Sequence, residues 1–300
     1  MEGEHAPNLS NVKNKLKRQE LYAKLVQKKA RKERDERLRR KREEKADPTK
    51  GEERRAKNIP KTLESTREFD ETVVEEQDDE ATDEFAEYFT GQAPKVLITT
   101  SKYAAKPTYQ FAEELLSIFP TGEFVRRGAK FEIKQIVEFC KNREYTDLMI
   151  VNEDKKEPNA ITLIHLPNGP TAYFKLTSIQ HHKDIHNHGR ITSHHPELIL
   201  NNFNTRLGHT VGRMFAALFP QVPQFEGRQV CTLHNQRDFI FFRRHRYMFR
   251  SGKRADLQEI GPRFTLKLKW LQKGTFDRQN GQMEWEFKSE METSRRRFFL

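Results

Sequence analysis

The sequence predicts a mixed α/β fold of two similar halves, preceded by a charged helical arm. Three observations predict it. Short apolar strands alternate with helices whose apolar residues recur at i, i+3, i+4 and i+7. A strand–helix unit in each half closes on the same dipeptide, Phe119-Pro120 and Phe219-Pro220, one hundred positions apart. The charge is distributed in blocks. Residues 10–57 carry 20 basic and 9 acidic side chains, residues 64–90 carry 1 and 12, and residues 225–300 carry 17 and 9. Such blocks imply polyanion contact at both ends of the chain and an acidic spacer between them.

Residues 1–47 read as a basic helical arm, with the helix running from Ser10 to about Lys45. Leu9, Val12, Leu16, Ala23, Val26 and Ala30 form a thin apolar stripe that stops at Ala30. Beyond it, Glu33–Arg37, Asp35–Arg39 and Glu36–Arg40 are i,i+4 pairs with the acid first, each worth about 0.2–0.5 kcal/mol. Asp47-Pro48 is expected to end the helix. Residues 48–93 read as an acidic, largely disordered linker that contains Pro48, Gly51, Pro60 and Gly91. Its one aromatic cluster, Phe85, Tyr88 and Phe89, reads as part of an unpacked tail, with docking on the following domain or on another protein as the alternative.

The folded domain is expected over residues 94–300: a first half at 94–180, a connector at 181–195 and a second half at 196–300. Val96–Ile98 reads as a strand. Pro107 suits the first turn of a helix faced by Phe111, Leu115 and Ile118. Ile133, Ile136, Val137 and Cys140 mark a second helix. Leu148–Val151 reads as a buried strand, and Ile161–Leu166 with Thr171–Leu176 as a hairpin around Pro167-Asn168-Gly169-Pro170. In the second half, Leu198–Leu200 is a strand and Leu207, Val211, Met214, Phe215 and Leu218 a strong amphipathic helix. Gln229–His234 and Phe239–Arg246 form a hairpin across Asn235–Asp238. From Phe264 to Leu271 the pattern alternates. Phe264, Leu266, Leu268 and Trp270 fall on one side, and Arg263, Thr265, Lys267 and Lys269 on the other. Met283, Trp285 and Phe287 make a last alternating strand after Asn280-Gly281.

Function classes narrow by exclusion. With 35% hydrophobic and 33% charged residues, the chain is too polar to be globular throughout. No run approaches the roughly 18 apolar residues of a membrane span, so no membrane partner is expected. The first ten residues show no secretory pattern. Two cysteines, Cys140 and Cys231, argue against a disulfide scaffold and for a reducing compartment. There is no phosphate-cradling Gly-rich loop and no nucleophile elbow, and no cofactor or enzymatic activity is expected. Six histidines (181, 182, 186, 188, 194 and 195) crowd the connector QHHKDIHNHGRITSHH. Their spacing lacks a paired carboxylate ligand, so they read as a polar connector and no metal is assigned. A metal-dependent nuclease built on them is the enzymatic alternative, and a protein-only scaffold is the other.

The cations carry the functional expectation. Arg263, Lys267 and Lys269 recur along one strand face at about 6.6 Å per two residues, a repeat suited to a phosphate backbone. Arg243, Arg244 and Arg246 lie beside Phe241, Phe242 and Tyr247, and Arg295, Arg296 and Arg297 close the chain. Lys28, Lys29, Arg31, Arg39, Arg40 and Arg42 belong to the arm. Charge for phosphates with rings and guanidinium planes for bases is the composition of an RNA surface. A solvated sheet face would carry similar residues.

Three runs then point to a family: PELILNNFNTRLGHTVGRMFAALFP (196–220), FEGRQVCTLHNQRDFIFFRRHRYMF (225–249) and EIGPRFTLKLKWLQKGTF (259–276). Together they resemble the Brix-domain family, over roughly residues 94–300. The resemblance implies two tandem halves, each like an anticodon-binding domain of aminoacyl-tRNA synthetases. It implies that residues 261–268 match the family motif likened to a bacterial sigma-factor segment and associated with ribosomal RNA. It also implies a non-catalytic assembly factor of the nucleus and nucleolus. Its expected partners are precursor large-subunit (60S) rRNA, the pre-60S particle and a smaller protein, the homologue of a maintenance-of-killer protein.

Overall fold

The computed structural model describes residues 12–73, 85–89, 91–252, 254–294 and 296–300, which fall into two compact units, up to Thr66 and from Arg67 onward. The acidic stretch 74–84 and Arg295 lie outside the described residues.

The first unit is helical. Helix α1 runs Lys15–Ala46, and the Asn14 side chain caps it by accepting from the Leu16 and Lys17 amides. It buries none of its residues, as expected of a stripe this thin. Asp47 ends it, but Pro48 then opens a second helix, α2 (Pro48–Lys57), where an irregular linker is expected. The reason is local: proline is well placed in a first turn, and Arg54 reaches back to Glu43 and Glu44 at 2.9 and 3.2 Å. Of the three predicted acid-first pairs only Glu36–Arg40 forms, at 3.9 Å. Glu33 pairs backward with Lys29, and Arg39 pairs forward with Glu43.

The second unit is one eleven-stranded mixed sheet. Its strands are β1 (Val96–Thr100), β2 (Glu123–Phe124), β3 (Asp147–Asp154), β4 (Glu157–His165), β5 (Thr171–Gln180), β6 (Glu197–Asn201), β7 (Gln229–Gln236), β8 (Phe239–Ser251), β9 (Arg254–Glu259), β10 (Arg263–Gln272) and β11 (Met283–Glu286). The spatial order is β2-β1-β3-β4-β5-β10-β8-β7-β6, with β9 on β8 and β11 on β10. The predicted halves therefore share a single sheet: β10, from late in the chain, pairs antiparallel with both β5 and β8. Parallel pairs sit toward opposite ends of this order, β1 with β3 and β6 with β7.

Helices α3 (Lys106–Leu116) and α5 (Arg206–Ala217) pack into one large core on one face of the sheet. Phe119 and Phe219, from the two Phe-Pro dipeptides, meet there with ring centroids 5.2 Å apart. Helix α4 (Ile133–Lys141) covers the opposite face over β1, β3 and β4 with Val137 and Cys140. Leu148 and Ile150 of β3 turn toward α4, and Met149 and Val151 turn toward α3. A strand buried on both faces reads as a continuous apolar run, as this one does.

Several elements depart from the expected pattern. Strands β2 and β9 and the β3–β4 hairpin are absent from it; the β3–β4 turn is made by Lys155-Lys156, both in the left-handed region at φ 51° and 67°. Lysines give no turn signal of the Asn-Gly kind. In β10 the register shifts between Leu268 and Trp270. The shift puts Leu271 in the core and turns Trp270 out, stacked on Tyr173 at 5.4 Å, which corrects the expectation that Trp270 points with Phe264, Leu266 and Leu268. Finally, Phe85, Tyr88 and Phe89 dock on the domain. Phe85 and Tyr88 pack edge-on against the buried His165 ring, Tyr88 donates to the Leu166 carbonyl at 2.6 Å, and Arg213 lies over Phe89.

Candidate nucleic-acid interface

The sheet alternation decides where each predicted cation goes. On β8, Ile240, Phe242 and Arg244 share the inward parity, and Phe241 and Arg243 the outward. Arg244 is fully buried. Its guanidinium donates to Gln229 Oε1 at 2.6 and 3.1 Å and to Ser117 Oγ at 3.2 Å, joining β8 to β7 and to the end of α3. Burial pulls its pKa down. Arg244 is therefore a structural cross-link and not a surface cation, because a doublet of adjacent arginines on a strand must split between the two faces. Arg246 has the same parity as Arg244 but lies beyond the core and is half-buried.

The outward face at the seam of the sheet brings together Arg243, Arg263 and Lys267 from β8 and β10, with Lys269 at the bulge. It also brings in a cation the sequence reading did not single out, Lys175 of β5, directly across from Lys267. Like charges at directly opposed positions are destabilising. Here they are offset by rings and carboxylates from elsewhere in the chain. Lys267 pairs with Glu292 and lies 4.8 and 4.4 Å from the ring centroids of Phe239 and Phe287. Lys269 lies 3.8 Å from that of Phe287. The Lys267 side chain is only 14% exposed, so it is not the open phosphate contact expected of it. Arg263 is likewise engaged, holding Glu259 through two bonds of 2.6 Å and Gln180 through one of 3.1 Å.

The titration behaviour follows from these contacts. Partial burial, then repulsion from Lys267 and Lys175, holds Lys269 below the ordinary lysine value. Partial burial lowers Arg243. Glu259 lies below the usual carboxylate range: burial pushes it up, but its hydrogen bonds and charge pairing with Arg263 outweigh that.

The signal for Lys175 is the alternation of β5, whose outward residues Tyr173, Lys175 and Thr177 face Trp270, Lys267 and Thr265. The signals for Glu259 and Glu292 are weaker, because single acids in a basic region acquire meaning only through tertiary placement. Gly261, just before β10, has φ +81°, and a Cβ there would stand 2.5 Å from Ile185 Cδ1. Any other residue would strain the backbone, and its Cβ would displace the end of the Ile185 side chain.

The arm cations are solvent-exposed. Lys28, Lys29, Arg31, Arg39, Arg40 and Arg42 are all exposed on α1, which carries 15 basic and 6 acidic residues. Arg296 and Arg297 are exposed, Arg297 over the Phe299 ring at 5.6 Å.

Three of the connector histidines make contacts within the domain. His181 Nδ1 meets Glu114 at 3.1 Å, His182 Nδ1 meets the Ile260 carbonyl at 2.5 Å, and the His188 ring lies tilted against that of His182, centroids 4.0 Å apart. Among the described residues, no three His, Cys, Asp or Glu side chains converge as a metal-holding group, and no helix is long and apolar enough to cross a membrane.

These features define an α/β protein with one through-going mixed sheet, helices on both faces and a cation-studded seam. The Brix-domain family model matches residues 101–270, and the chain belongs to the Brix-domain family. It is 48% identical to ribosome production factor 1 of Saccharomyces cerevisiae, covering 98% of this chain and 99% of the yeast protein. It is 50% identical to ribosome production factor 1 of Pongo abelii over 98% of this chain and 85% of that one. To the Xenopus laevis protein of the same name it is 54% identical, over 81% and 73%. Among solved structures, a probable ribosomal biogenesis protein from Aeropyrum pernix aligns at a TM-score of 0.42 and 13% identity, covering 65% of this chain and 99% of its own.

Proposed function

We propose that this chain is a non-catalytic assembly factor of the large (60S) ribosomal subunit that works in the nucleolus. It binds precursor rRNA in the pre-60S particle, alongside a smaller protein partner homologous to a maintenance-of-killer protein. The observation that carries the assembly role is the near end-to-end similarity to proteins named ribosome production factor 1. The RNA reading rests on the charge placement. Helix α1 buries nothing and exposes its cations on all sides, so its composition serves contact with a polyanion and not packing. The seam of the sheet adds Lys175 and Lys269, with Trp270 and Tyr173 stacked beside them, and Arg243, which lies 4.0 Å from Glu259. Because the Lys267 and Arg263 side chains are largely covered beside Glu292 and Glu259, whereas the α1 cations stay solvent-exposed even where they pair with acids of their own helix, the arm leads and the sheet face supports.

Backbone-led binding has a fixed signature. If about six phosphates on single-stranded RNA are neutralised, log K falls against log salt with slope near −4. Removing residues 1–47 should flatten that slope by more than half. A salt-insensitive affinity, or a slope unchanged without the arm, overturns the reading.

A further inference from the structure

We infer a second docking site, separate from the RNA face: a cationic-rimmed apolar socket that takes an acidic polypeptide segment through one large apolar side chain. The socket lies in the first half, between β2 at the edge of the sheet and α4, with a volume of about 360 Å³. That is at the small end of binding pockets and suits one or two side chains.

Its floor and walls are apolar. Val125, Phe131 and Phe139 line it and are 51, 44 and 44% exposed, although each is large and hydrophobic. Phe131 and Phe139 are already set edge to face at 5.5 Å, so the wall is formed before any partner arrives. An exposed cluster of this kind, ringed by polar groups, marks an interaction site more often than a stray surface residue does.

The rim supplies the second half of the recognition. Three arginines, Arg126, Arg127 and Arg143, line the socket, and no carboxylate does. Arg127 is 7% exposed and donates to the Phe131 carbonyl at 3.0 and 3.2 Å, which fixes the loop that carries Phe131. Arg126 and Arg143 are exposed, and among the described residues neither has a carboxylate within ion-pair distance. Arg126 rests 4.9 Å from the Tyr109 ring centroid. Of the nearby acids, Glu132 pairs with Lys102 at 2.5 Å and with Arg127 at 3.9 Å, and Glu123 accepts from the Tyr145 hydroxyl at 2.5 Å. The rim thus holds two guanidinium groups without a counter-charge beside an open apolar wall.

The lining favours a peptide anchor over a base read by its edges. Reading a base edge requires free donors and acceptors at the pocket floor. The hydroxyls that line this one are committed: Thr99 donates to the Val125 carbonyl at 2.8 Å and Tyr145 donates to Glu123. Cys140 is buried, and burial raises its thiol to about 11, so it presents no anion. What remains open is apolar surface for an anchor side chain, with fixed cations on either side for flanking carboxylates.

The test uses the full chain and a fluorescein-labelled peptide with one phenylalanine between two runs of three glutamates, followed by anisotropy. Saturable binding is expected, weakened about tenfold when the peptide phenylalanine becomes alanine. Arg126→Gln with Arg143→Gln, both exposed and harmless to the fold, should weaken it about tenfold as well. Arg39→Glu with Arg40→Glu on the arm should leave it within about twofold. RNA affinity, measured on the same proteins, should move only with the arm variant. No saturation up to about 1 mM peptide overturns the inference. So does binding that ignores the peptide phenylalanine or follows the arm variant. An oligouridylate that displaces the peptide, and loses affinity with the socket variant, assigns the socket to RNA instead.

Discussion

Truncating Arg244 to alanine separates a structural cation from an RNA contact. The side chain is fully buried, with three hydrogen bonds to Gln229 and Ser117 and no carboxylate partner. Losing charge-assisted bonds costs about 1.5–3 kcal/mol each. Losing its three buried methylenes costs about 0.8 kcal/mol each. Against this, the variant no longer desolvates a cation, a term of several kcal/mol in the opposite direction. The balance is a loss of about 3 kcal/mol, which for a unit of this size lowers Tm by about 6–12 °C. Arg244→Met keeps most of the stem and drops the charge, so it should cost about 1 kcal/mol or less. Thermal and urea unfolding by circular dichroism read both, and RNA affinity of the folded protein should not change. An Arg244→Ala protein with wild-type Tm and weakened RNA binding would refute the placement.

Four further outcomes follow from the same geometry. Lys175→Gln with Lys269→Gln should leave folding intact and weaken RNA binding about three- to tenfold, whereas Lys267→Glu should unfold more readily, because it sets a second carboxylate against Glu292; filter binding and melting separate the two. Leu300 is 1% exposed, and Asn235 Nδ2 donates to its carbonyl at 3.0 Å, so Leu300→Ala should cost about 3 kcal/mol in urea titrations. Burial raises Cys140 to about 11 and Cys231 to about 12, so neither thiol should react with Ellman's reagent near pH 8 until urea is added. Because Glu259 is held below its unfolded value, its pairing contributes stability above the ordinary carboxylate range that is lost as pH falls through the folded value. Melting between about pH 6 and about pH 3 should therefore lose roughly 1 kcal/mol less in Glu259→Gln than in the unmodified chain.

The sequence reveals the helices and the long strands because their apolar periodicity is local. The i, i+3, i+4, i+7 rows of α4 and α5 and the alternation of β10 up to Leu268 need no knowledge of the partner elements. It does not reveal the pairing of β10 with β5, which brings residues about ninety positions apart into register, as with Lys267 and Lys175. A cationic outward face is legible in the sequence, but its pairing is not, for the same reason. Alternation places Arg263 and Lys267 on one face, but only the tertiary fold delivers Glu259, Phe287 and Glu292 to cover them. Arg244 shows the opposite failure. A basic doublet reads as a surface patch, yet the two-residue period of β8, already visible in Ile240 and Phe242, sends its second member inward. The register shift before Trp270 has no comparable sign, since a bulge is one extra residue in a pattern that otherwise continues.

The claim that exposed cations on α1 lead the grip on RNA, with the β5–β10–β8 face in support, is tested most directly by ultraviolet crosslinking of the full chain to precursor rRNA with the attached peptides identified by mass spectrometry. Crosslinks should fall mainly in Lys15–Ala46, with a smaller set at Tyr173, Lys175, Lys269 and Trp270. Crosslinks confined to other surfaces, with none on α1, would contradict the account.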